Sequence, residues 1–106
     1  MKYDLTQPCP DCPFRTDCRE GWLGGDRAAE IAQAITQHQQ TFTCHKTLPE
    51  SANSQHCAGA MILLERLNRP NQMMRIMERF GGYDRARLRM DAPVFKSVAA
   101  FIRHHN

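Results

Sequence analysis

The cysteines have the most chemistry to offer in this chain. They run Cys9-x2-Cys12-x5-Cys18-x25-Cys44-x12-Cys57. The first two stand in "CPDCPFR", where a gap of two residues lets both sulfurs face one point across a tight turn. Such turns serve metal knuckles and redox dithiols alike. Pro10 and Pro13 stiffen this one and remove two backbone donors near the sulfurs. Cys44 closes "TFTC", a β-branched and aromatic stretch that reads as extended. Cys57 stands at an expected helix start, where the positive end of the dipole favours thiolate over thiol. A pair from one turn and two singles from separate elements can converge on one metal.

The spacing bears on which metal. Tetrahedral zinc in small proteins is usually held by two knuckles, each giving a close pair of ligands. This chain has one close cysteine pair, so zinc would want His45 or His56 in place of a sulfur. An iron–sulfur cluster accepts one C-x2-C pair plus scattered cysteines. A 4Fe–4S cluster is therefore favoured, with Zn2+ as the alternative, and a two-iron cluster also fits four cysteines. Cys18 is left over. Arg15 and Arg19 flank it and would lower the pKa of a reactive thiol, but an incidental packed cysteine is the simpler reading. Cys18 can also replace one of the four. Free cysteines bury readily, so Cys44 and Cys57 could each be plain core residues. That reading suits Cys9 and Cys12 poorly, on a polar, proline-rich loop.

Other chemistries find less support. Adjacent residues in an extended segment point to opposite sides, so "CHK" at 44–46 makes a poor Cys–His dyad. A small thiol oxidoreductase using Cys9 and Cys12 is a further alternative, but no βαβ pattern precedes this C-x2-C. No carboxylate pair, glycine-rich phosphate loop or serine triad stands out. The expectation is a non-enzymatic protein with no small-molecule substrate. Around a cluster, Arg15, His45 and Lys46 would tune a net-negative thiolate site, and Trp22 would cover it or the first helix.

The 106 residues are the size of one small domain, so 1–106 is expected to fold as a unit, helped by a covalent or metal staple. No apolar run approaches the ~20 residues of a membrane span, and the N-terminus lacks the apolar core of a secretory signal. A cytoplasmic setting follows, where five cysteines stay reduced. Formal net charge is +3, unevenly spread. Residues 1–64 hold five Lys/Arg against seven Asp/Glu, and residues 65–106 hold nine against four. Seven arginines fall between Arg66 and Arg89. Arg75, Arg79, Arg85, Arg87 and Arg89 are candidates for contact with nucleic acid or an acidic protein surface. A solvated polar face competes with that reading and is the commoner outcome.

The elements that must position these residues read as mostly α, about four helices behind a loop-rich N-terminal third. Asp26 can cap a helix over "RAAEIAQAITQHQQ", with Ala28, Ile31, Ile35 and His38 on one face. A second helix runs from near Cys57 through "AGAMILLERL" to "NRP". Asn71 can cap a third, "QMMRIMERF", ended by Gly81-Gly82. The segment "YDRARLRM" is ambiguous; if extended, Arg85, Arg87 and Arg89 share one side. Asp91 can cap a last helix, "APVFKSVAAFIRHH", with His104 and His105 as terminal surface residues. The helical spacing of the methionines suggests core packing.

Taken together, "CPDCPFR", "GWL", "FTCHKT" and "CAGAMILL" resemble an uncharacterised family of small phage and bacterial proteins. Its pattern is Cys-x2-Cys-Pro-aromatic-Arg, then Cys-His-Lys-Ser/Thr, then Cys-Ala-Gly. The resemblance covers roughly residues 8–69. It implies that Cys9, Cys12, Cys44 and Cys57 belong together, because they lie within its motifs and Cys18 does not. It implies no activity. "GWLGG" is similar to the Gly-Val-Trp-Gly-Gly turn of the WhiB-like iron–sulfur regulators, with Trp22 shifted by one place. That likeness concerns how a small helical protein can wrap a cluster.

Overall fold

The most apolar stretch of the chain forms its centre. In the computed structural model, which describes residues 1–44 and 54–106, helix α2 spans Ala58–Arg66 and buries every residue from Ala58 to Leu64. A helix that is apolar all round must be enclosed. Helix α1 (Gly25–Thr36) packs on it and on helix α4 (Val98–His105), while helix α3 (Gln72–Arg79) buries only Met74. Among the described residues there are four α-helices and one 3-10 turn, Arg85–Arg87, and no strand. The radius of gyration, 12.8 Å, is close to the ~13 Å of a folded chain this long.

Short extended pieces bring distant segments to the start of α2. Residues 54–57 lie between two of them. On one side Lys2 bridges Gln55; on the other Thr43 bridges His56, with Cys44 donating to the Gln55 carbonyl and Cys57 to that of Phe42. The cysteine loop is tied down through Phe14. Its ring is fully buried, stacked on Phe101 at 4.9 Å and edge-on to Phe42 at 5.2 Å. Arg15 bridges Val94, and Thr16 donates to the Pro93 carbonyl. Arg66, in the last turn of α2, holds the segment it faces by donating to the carbonyls of Met90, Ala92 and Val94.

Several expectations move. The first helix starts on Gly24 at φ 82°, not on an Asp26 cap, and ends four residues short of Gln40. Its buried face is Ala28, Ala32 and Ile35; His38 is exposed. Asn71 caps α3 as expected, accepting from the Met74 amide at 2.8 Å. The last helix is capped by Ser97 rather than Asp91, because residues 92–96 are engaged with the cysteine loop and Arg66. "YDRARLRM" is not extended: Asp84 caps the 3-10 turn, so the three arginines do not share one side. His105 is not a surface residue. It is fully buried against Phe101, and burial lowers its pKa. Among the methionines, Met61 and Met74 are core, but Met73 and Met90 are exposed.

Candidate thiolate site

Cys57 is the residue on which α2 starts, and its sulfur lies 3.5 Å from that of Cys12. The two meet because Gly59 lets them. A Cβ at Gly59 would stand 2.6 Å from Cys12 Sγ and 2.9 Å from Phe14 Cβ. Phe14 is locked in the aromatic stack, so neither neighbour has room to retreat. The glycine of "CAGA" is thus a space requirement for the sulfur of "CPDC".

Electrostatics distinguish the two sulfurs. The Cys57 thiol donates to Cys12 and lowers its pKa; the amides of Phe14 and Gly59 and the charge of Arg15 act the same way, against the burial that opposes ionisation. Cys57, donating and wholly enclosed, is pushed well above the usual thiol range. Cys12 is therefore the first to ionise, its charge held by the opening turn of a helix.

The other two cysteines flank this pair. Cys44 is buried on the extended piece beside Cys57 and close enough for its charge to raise Cys57. Cys9 is half-buried at the start of the turn, where its carbonyl accepts from the Cys12 amide and its sulfur acts on Arg15. None of the five cysteines is in a disulfide. Among the described residues, no three His, Cys, Asp or Glu side chains are drawn tightly enough together to hold a metal ion. The arrangement is a contacting pair with Cys44 beside it and Cys9 at the start of the same turn as Cys12.

The residues expected around the site separate. Arg15 forms a two-pronged pair with Asp17 at 2.7 and 2.8 Å and still reaches the sulfurs electrostatically. Trp22 lines a cleft with Pro10 and Cys18, and is 44% exposed, so it does not seal the pair. His45 and Lys46 lie outside the described residues. Cys18 does not touch the pair, but it is near enough for the charge of Cys12 to act on it. Burial raises its pKa, and it sits 3.7 Å from His105 Nε2. That nitrogen donates to the Pro13 carbonyl, while Nδ1 accepts from the Leu23 amide. The proton is thus on the nitrogen facing Cys18, and His105 is no base for it.

His56 is the residue whose importance the sequence concealed. It is fully buried one position before Cys57. Nδ1 donates to the Cys57 carbonyl at 3.1 Å, and Nε2 accepts from Asn71 Nδ2 at 3.1 Å and the Phe42 amide at 3.4 Å. Both nitrogens are used, so His56 does not replace a sulfur as a ligand. It is a neutral strut from the Cys57 backbone to the cap of α3, and desolvation lowers its pKa to about 4. The adjacent turn signal, Asn71, was visible in the sequence, but its second partner was not.

A family model matches residues 4–106. The chain belongs to a family of unknown function, DUF6283. The match extends past residue 69, where the motif resemblance stopped, so α3, the arginines and α4 are part of what DUF6283 describes. No curated protein and no solved structure matches the chain.

Proposed function

We propose that this member of DUF6283 is a small thiolate-ligated metal protein, with Cys9, Cys12, Cys44 and Cys57 as the ligands. The observation that carries the reading is the contact of Cys12 and Cys57 across 45 residues of chain, with Cys44 beside them. An iron–sulfur cluster is the first reading. One close pair, two singles and peptide amides acting on a sulfur suit it, because such amides set the potential of a cluster. The protein would then be a non-enzymatic, redox- or oxygen-responsive regulator, with its arginine-rich half meeting an anionic partner.

Zinc is the second reading, and one distance favours it. Zn–S bonds of about 2.3 Å at tetrahedral angles put two sulfurs ~3.8 Å apart. The Cys12–Cys57 separation of 3.5 Å is near that edge. The metal would then contribute folding energy to an interaction module. A dithiol mechanism through Cys9 and Cys12 is the weakest, since Cys12 is in contact with Cys57.

Iron, sulfide and zinc content, with a visible spectrum, test these on protein purified without oxygen or affinity metals. Iron with matching sulfide and a broad brown absorption supports the cluster. One zinc in a colourless protein selects the second reading. Neither metal, even after reconstitution, overturns both.

A further inference from the structure

We infer that the groove over α3 binds a single strand of nucleic acid. Two clefts, about 230 and 470 Å3, adjoin there and share Asn68, Pro70 and Arg75. Arg69 lines the larger, Arg79 and Arg85 the smaller. Two acids line the smaller cleft: Glu78 pairs with Arg85 at 3.4 Å, while Glu65 accepts from the neutral Tyr83 hydroxyl at 3.1 Å and keeps its charge. Among the described residues, Arg69, Arg75 and Arg79 enter no ion pair. Four arginines against two acids leave the two clefts with a net positive lining, and three guanidinium groups outside any ion pair along a concave track suit a polyanion.

Phe80 narrows the choice of polyanion. It follows Arg79 at the end of α3, outside the lining of either cleft, and is 83% exposed, the most exposed large apolar side chain described. An open aromatic ring next in sequence to one of the cleft's cations is a stacking platform for a base that leaves the groove. The faces of the bases in a duplex are hidden within the stack, and an acidic peptide has no flat ring system to offer in return. Amides of Gln39, Asn68 and Gln72 around the larger cleft can meet base edges or sugar hydroxyls without selecting a sequence. Arg87 and Arg89 do not belong to this track. Arg87 lines a separate cleft with Asp4 and Asp84, and Arg89 another with Arg15 and Asp91. The surface names the anionic partner left open in the proposed function, but its residues need no metal.

The test is fluorescence anisotropy with a labelled fifteen-nucleotide oligo(dT), roughly the span of one binding site, against a duplex of equal length and a poly-glutamate peptide. Wild-type protein is expected to prefer the single strand. Replacing Arg75 and Arg79 together by Ala should lower the slope of log affinity against log salt by about 1.4, at ~0.7 per lost phosphate contact. Phe80→Ala should weaken binding roughly tenfold without changing that slope. Arg87→Ala with Arg89→Ala should change affinity less than about twofold, being off the track. All replaced side chains are exposed, and thermal melts matching wild type establish that the variants are folded; Arg69→Gln repeats the test should the double variant melt early. No binding at low salt, equal binding of duplex or poly-glutamate, or indifference to the Arg75 and Arg79 changes overturns the inference. Metal content is measured on the same samples. A cluster without oligonucleotide binding removes the surface alone, and binding without metal removes the thiolate reading alone.

Discussion

Asn71 Nδ2 donates to His56 Nε2 at 3.1 Å, while Asn71 Oδ1 accepts from the first turn of α3. One amide thus joins the cap of one helix to the carbonyl of the cysteine that starts another. The arrangement works only with neutral imidazole, because Nε2 must accept.

Acid should therefore loosen the fold. His56 has a folded pKa of about 4 against an ordinary 6.5, so between those values the unfolded chain binds the extra proton. Its contribution is complete above pH 6.5 and is lost as pH falls towards 4. That difference corresponds to roughly 3 kcal/mol. Urea titrations from pH 7 to pH 4 should show that decline, and His56→Gln, starting less stable, should flatten it. An unchanged pH slope in that variant would contradict the strut.

Gly59→Ala should be disproportionately harmful for one methyl group. Overpacking usually costs about 1–3 kcal/mol, and here the methyl would strike Cys12 Sγ and the locked Phe14. Loss of bound metal along with stability is the expected result. A variant that melts within a degree of wild type would show that the sulfur has room to withdraw.

Oxidation of metal-free protein should join Cys12 to Cys57. They are the sulfurs in contact, and a disulfide needs them at about 2.05 Å. Peptide mapping after diamide treatment checks this. A Cys9–Cys12 bond as the main product would restore the dithiol reading.

Arg66→Lys should destabilise by about 1.5–3 kcal/mol, the scale of a hydrogen bond to a charged group. A planar fork reaches the carbonyls of Met90, Ala92 and Val94 together; an ammonium cannot reproduce that geometry. Chemical denaturation measures the loss. Equal stability of the two proteins would show the carbonyls to be satisfied otherwise.

Much of the helical frame was legible because it rests on local rules. Cys57 before an apolar run and Asn71 before "QMMRIMERF" are helix-start signals needing no knowledge of the rest of the chain. The long-range features were not. That Gly59 faces a sulfur from residue 12, or that His105 ends against the Pro13 carbonyl, depends on contacts across 45 residues or more. Ser97 displaced Asp91 as a cap for the same reason: tertiary contacts of residues 92–96 override a sound local signal. The four-cysteine grouping was readable as types and spacing, and the contact of Cys12 with Cys57 within it was not.

The hydrogen bond from His105 to Pro13 also makes the cysteine loop depend on α4. Phe14 stacks on Phe101, and the cysteine loop is pinned by residues 93–95. Cys9 and Cys12 take their places only when α4 is docked to clamp their loop. Removing α4 should leave the thiols intact but their loop unclamped, with the contact between Cys12 and Cys57 weakened.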